Sequence, residues 1–280
     1  MKTFKYFFIT NLFLVYYAFQ SAEQKTDYAF GENTEVVYQI SFNKFKDSKK
    51  RRVEYASLYV SNEKSIYVAP SVVKLDSIEN ARDLQVSDIM SNMIHDPYAI
   101  SYSANSLQYF EKVGNEMYTY KETPKLEWVL AEGTKKILNY ECKRANVDYG
   151  GRKWTAWFTT SLPLDVGPYK FKGLPGLILG ISDDTNSFSF MAVGLSNNKK
   201  SNFKSAEAYI ARTVKNEPIQ TKKADFNKIK RYFHSLNGNE RLNYMNKDKS
   251  VTLKGVSTNP ETGERIQEQR FVRERLFIEI

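Results

Sequence analysis

At 280 residues the chain is within reach of one large β-rich domain, and its single cysteine excludes an internal disulfide framework. Two histidines and that one cysteine, all far apart in sequence, do not make a zinc site, and no metal ligands or cofactor are expected. The formal net charge of +9 fits a solvated basic surface, or contact with anionic lipid, lipopolysaccharide or acidic peptides. No nucleic-acid motif accompanies it, so nucleic acid is not an expected partner.

Residues 1–22 read as a secretory signal. Lys2 and Lys5 precede a short apolar run from Phe7 to Phe19, and the small residues Ser21 and Ala22 follow where cleavage would fall. The run is too short and broken to span a bilayer, and no cysteine follows it for lipid attachment. Export is expected, to the periplasm, the outer membrane or the medium, with residues 23–280 as a single domain.

Val36, Tyr38, Ile40 and Phe42 alternate with Val37, Gln39, Ser41 and Asn43, the period of two of a half-buried strand. Val53 to Val60 and Lys64 to Val68 follow at short range, as in an antiparallel meander. From Val72 to Ile94 apolar residues fall at helical spacings, predicting one or two helical turns that end at His95-Asp96-Pro97. Strands resume at Ala99–Ser103, Ser106–Val113 and Glu116–Lys121. Lys125–Ala131, which carries Trp128, and the segments 134–140 and 140–147 continue them.

Gly150 to Asp184 holds two of the three tryptophans and six of the thirteen glycines, the mark of a packed centre with tight corners. Arg152–Thr160 and Leu177–Ser182 read as strands. Between them Leu174-Pro175-Gly176-Leu177, preceded by Gly173, fits a type II turn: Pro175 presets φ and Gly176 supplies the positive φ. Asp183-Asp184-Thr185-Asn186 reads as a hairpin corner rather than a calcium loop. Phe188, Phe190 and Ala192 then alternate with Ser189, Met191 and Val193. Ala206–Val214 reads as a strand. Phe226, Ile229, Phe233 and Leu236 give 225–236 the spacing of an amphipathic helix. Residues 237–269 are polar and turn-rich, and Leu276–Ile280 reads as a terminal strand.

The central stretch also carries a resemblance. Gly173-Leu174-Pro175-Gly176-Leu177-Ile178 resembles the signature of the GLPGLI family of exported proteins of Gram-negative bacteria. Thr134–Cys142, Thr155-Ala156-Trp157-Phe158-Thr159 and Gly167-Pro168-Tyr169-Lys170-Phe171 resemble the segments around it, with 137–184 as the signature region. The resemblance implies an exported, strand-rich protein and carries no reaction. The fold class expected is α+β, mainly antiparallel β, with a curved sheet covered by one or two short helices.

Within Arg152–Thr160, Trp154, Ala156 and Phe158 take one face and Trp157 the other, so both faces need cover. The chain's own helices and loops are the plainer source of that cover. The functional source is a guest on an apolar groove lined by Trp154, Trp157, Phe158, Tyr169 and Phe171, with residues 72–94 and 225–236 as natural lids. No Gly-x-Ser-x-Gly elbow occurs, and no catalytic residue is assigned. A hydrolase would have to draw on His95, His234, Cys142 or unidentified carboxylates. The leading expectation is a non-catalytic envelope binding or accessory protein for a hydrophobic ligand, peptide or outer-membrane partner. The alternatives are an enzyme of unrecognised type and a structural component contacting lipopolysaccharide.

Overall fold

The computed structural model describes residues 33–43, 45–46, 50–61, 64–68, 98–103, 106–197, 200–245 and 278–279. The expected signal, the helical turns at 72–94, His95 and most of the terminal strand lie outside them. Twelve strands form one sheet: β1 (Thr34–Phe42), β2 (Arg52–Val60), β3 (Lys64–Val68), β4 (Tyr98–Ser103), β5 (Ser106–Val113), β6 (Glu116–Glu122), β7 (Val129–Ile137), β8 (Tyr140–Tyr149), β9 (Arg152–Thr159), β10 (Leu177–Asp183), β11 (Phe188–Ser196) and β12 (Ile219–Gln220). Their order is β12-β6-β5-β4-β3-β2-β1-β11-β10-β9-β8-β7. Every pairing is antiparallel except β12 against β6. Three helices, α1 (Lys200–Lys215), α2 (Lys223–Ser235) and α3 (Gly238–Met245), follow the long strands. The fold is the expected one, a mainly antiparallel sheet with short helices against it.

The sheet is open but strongly rolled. Nine inter-strand steps separate β6 from β8, about 43 Å in a flat sheet. Yet one ammonium group, Lys223 Nζ, stands 2.8 Å from Glu122 Oε2 on β6 and 3.4 Å from the Tyr149 hydroxyl on β8. A single side chain joins both ends only if the strands between them curl round. The concave side holds the main core, including Val36, Tyr38 and Ile40 of β1, Tyr109 of β5 and Trp154 and Phe158 of β9. β1 alternates buried and half-buried along its length, as its period of two demands.

The convex side is covered over β2–β4 by α1, whose Phe203 and Ala206 pack on Tyr59, Ile66, Val68 and Ala99. This corrects the strand expected at 206–214. Phe203, Ala206, Ile210 and Thr213 recur every three or four residues, so a helix turns one stripe to the sheet; reading the β-branched residues alone misses that period. α2 forms where its spacing predicts and buries Phe226 against Tyr109, Tyr118 and Tyr120. α3 corrects the polar, turn-rich reading of 237–245. Asn237 Oδ1 accepts from the Glu240 N–H at 2.9 Å while Glu240 Oε2 accepts from the Asn237 N–H at 2.8 Å, a capping box. The two strands expected across 125–140 form one strand, β7, with a bulge between Ala131 and Thr134 that absorbs Gly133 at φ +117°. Ile278 and Glu279 are not in a strand.

Residues 160–176, between β9 and β10, fold back into the concave side and bury Leu162, Tyr169, Lys170, Phe171 and Leu174. The corner at Pro175 is tighter than the expected type II turn. The Gly176 N–H bonds to Leu174 O at 2.7 Å, and φ at Gly176 is +157° rather than near +80°. Glycine is needed for close approach: a Cβ at 176 would lie 2.1 Å from the Thr159 carbonyl oxygen. A Cβ at Gly173 would meet nothing nearer than 3.9 Å, although φ there is +92°. Gly176→Ala should therefore cost about 3 kcal/mol and Gly173→Ala about 1 kcal/mol, measured by urea unfolding. Equal losses would contradict the close-approach explanation.

Candidate functional site

The five aromatic residues singled out in the sequence divide between two places. Trp154, Phe158, Tyr169 and Phe171 are buried on the concave side, and Trp157 is half-buried on the convex side. Phe171 is the hub of the inner group, with ring centroids 4.7 Å from Trp154, 5.7 Å from Tyr149 and 6.4 Å from Trp128. Trp154 donates to Tyr149 O at 3.0 Å and the half-buried Trp128 to Lys172 O at 2.8 Å, so both indole N–H groups are satisfied. The inner face of β9 is sheltered by the chain's own loop.

The outer face is arranged differently. Strand registers place Tyr55, Gln39, Met191, Gly180, Trp157 and Arg144 side by side across β2, β1, β11, β10, β9 and β8. The Gln39 amide donates to the Tyr55 hydroxyl at 3.2 Å, on this same face. Lys135 lies 5.9 Å from the Trp157 ring. Val53 and Tyr55 are each 49% exposed and Val193 45%, and at the sheet edge Val129 and Leu130 are 65% and 67% exposed. Among the described residues, no helix lies over this part of the sheet.

A third feature was not legible in the sequence. Lys170 is completely buried; its ammonium donates to Tyr120 OH at 2.8 Å and Glu279 Oε1 at 2.5 Å, and forms an ion pair with Glu122 Oε1 at 2.5 Å. Two hydrogen bonds and a second carboxylate in contact offset the desolvation of this lysine. Rings of Tyr109, Tyr120 and Tyr169 surround it at 4.8–5.3 Å. Lys223, at the start of α2, pairs with the same two carboxylates. Tyr169 has a left-handed backbone, φ 54°; Tyr102 OH donates to its carbonyl, and its own hydroxyl donates to Glu279 at 2.5 Å.

Burial alone would raise the Glu279 carboxyl, but Lys170 and Lys223 hold it down to about 2. Burial would lower Lys223, and the two glutamates raise it instead above its ordinary value. Burial, and next the Glu279 charge, pushes the Tyr120, Tyr149 and Tyr169 phenols up, so they stay protonated. A separate buried pair, Lys230 with Glu111 at 2.6 Å, ties α2 to β5. No local motif marks these residues, which come from β6, the 160–176 loop, α2 and residue 279.

The sequence alternatives for chemistry fall elsewhere. Cys142 is buried on β8 and burial pushes its thiol up, which disfavours a thiolate. His234 sits in the last turn of α2, its ring 5.5 Å from Phe233. Asp183 closes the hairpin corner: its carboxylate accepts from the Phe188 N–H at 2.7 Å and the Thr185 hydroxyl at 2.5 Å, and pairs with Arg152 at 2.8 Å.

Because Glu279 has a depressed carboxyl, its contribution is present above about 4.5, its ordinary value, and is lost as pH falls toward 2. Acid unfolding should steepen across that window by about 3 kcal/mol, and Glu279→Gln should flatten it. Lys170→Met leaves two carboxylates sharing one ammonium, that of Lys223, in place of two. It should cost about 3–5 kcal/mol at neutral pH and less at pH 3, where those carboxyls take up protons.

A family model described as a protein of unknown function (Porph_ging) matches residues 150–180, inside the signature region. No curated protein matches. Among solved structures, PNGF-II in two crystal forms is similar with TM-scores of 0.47 and 0.48, at 16% and 15% identity, over 74% of this chain and 34% of that one. The chain thus spans about a third of the length of those structures. A LolA superfamily protein, NE2245 from Nitrosomonas europaea, aligns with a TM-score of 0.27 and 11% identity, over 60% of this chain and 87% of that one.

Proposed function

We propose that the protein is an exported, non-catalytic binding or accessory protein that holds a hydrophobic ligand, peptide or outer-membrane partner. The observation behind this reading is the asymmetry of β9: Trp154 is enclosed by the chain's own loop, whereas Trp157 stays half-exposed on a row with Met191 and Tyr55. A half-buried indole gains more from a partner than an enclosed one, because apolar area remains to be removed from water. The binding surface is therefore the convex face rather than a cavity under the loop. A second reading, a structural component contacting lipopolysaccharide, draws on the basic residues Lys135 and Arg144 beside the same indole.

Purified protein should be titrated with apolar peptides and with vesicles with and without lipopolysaccharide. Tryptophan emission should shift to the blue, and Trp157→Ser should remove the shift and weaken binding by about tenfold or more. Undiminished binding by Trp157→Ser overturns the assignment of this face. Binding restricted to lipopolysaccharide and abolished in high salt favours the second reading.

A further inference from the structure

The ion cluster under α2 carries a separate inference. Lys170 and Lys223 face Glu122 and Glu279, two charges of each sign. Three of these side chains belong to the rolled sheet, its loop and α2; the fourth arrives on Ile278-Glu279, a segment outside any helix or strand. Without Glu279, two ammonium groups, one of them fully buried, would face a single carboxylate. A buried surplus charge of that kind demands an anion. The seat is shaped for more than a lone carboxylate. At Gly150 (φ +61°) a Cβ would lie 3.0 Å from Glu279 Cα and 3.1 Å from Ile278 O, so the glycine admits a peptide backbone. Ile278 packs, partly buried, against the core beside it.

We propose that Gly150, Tyr169, Lys170 and Lys223 form a binding site for an acidic peptide of a partner, one that presents an apolar residue followed by glutamate, and that Ile278-Glu279 occupies this site in cis. Lys170 and Lys223 recognise the carboxylate by charge, Lys170 and Tyr169 donate hydrogen bonds to it, and Gly150 makes room for the main chain. An incoming peptide has to displace the internal one, so the site is held partly closed until a competitor of the same chemistry arrives. It stands apart from the Trp157 face.

The test uses the full chain and two labelled peptides, Leu-Phe-Ile-Glu-Ile amide and its Gln counterpart, with binding read by fluorescence anisotropy. Glu279→Gln should bind the Glu peptide about tenfold or more tighter than wild type. It should bind the Gln peptide about tenfold or more weaker than the Glu peptide. Adding Lys223→Met should abolish the gain, and Trp157→Ser should leave it intact. Glu279→Asp keeps the charge with a shorter reach, and should fall between wild type and Glu279→Gln even if the Gln variant folds poorly. Equal binding of the two peptides overturns the proposal, as does a wild type that binds as tightly as both Glu279 variants.

Discussion

A single ammonium group, that of Lys170, is the point on which the rest of the structure converges. Removing a lysine from water is tolerated only when every proton finds an acceptor and opposite charge lies close by. Here the acceptors are Tyr120, at the far end of the sheet, and Glu279, and Glu122 adds a second opposite charge in contact. Lys223 then ties the same carboxylates to α2 and, through Tyr149, to the other end of the sheet. The roll of twelve strands, the insertion of the 160–176 loop and the position of α2 therefore share one electrostatic requirement. Apolar burial drives the collapse, since the concave core runs from β1 to the loop without interruption. The ion cluster determines which way the ends meet.

The central strand has two unlike faces for the same reason. Phe171 packs tilted against Trp154, one residue after Lys170 anchors the loop. With the concave side filled by the chain itself, a guest molecule is not needed there. Among the described residues the convex side has no equivalent: α1 covers part of β2–β4, and Met191, Trp157 and Tyr55 lie beyond it. The proposed binding reading therefore rests on a surface rather than a cavity, with Lys135 and Arg144 beside the indole.

Much of the fold was legible in the sequence because strands one and five to six show local alternation, and turns carry glycine or asparagine. β3 and β5 appear with the bounds that alternation predicts. α1 was read as a strand because Ile210, Thr213 and Val214 favour β structure locally, while its stripe of contacts is set by the sheet beneath it. α3 was missed although Asn237 and Glu240 stand at capping-box spacing. The two faces of β9 followed from its period of two. The ion cluster could not follow from any period: Glu122, Lys170, Lys223 and Glu279 are spread along the chain, and only the closure of the sheet brings them together. Pro175-Gly176 was rightly read as a corner, but the neighbour that forbids a side chain, Thr159, is a packing contact invisible to turn rules.

The central claim, that an open sheet is rolled until its two ends share one ion cluster, has a direct geometric test. Spin labels at Lys121 on β6 and Asp148 on β8, both exposed and each next to a cluster residue, report the separation of those ends by pulsed electron resonance. The account predicts one narrow distance less than half of the roughly 43 Å expected for a flat sheet, broadening when Lys170 is replaced by Met. A distance near the flat-sheet value, or one indifferent to Lys170, would contradict it.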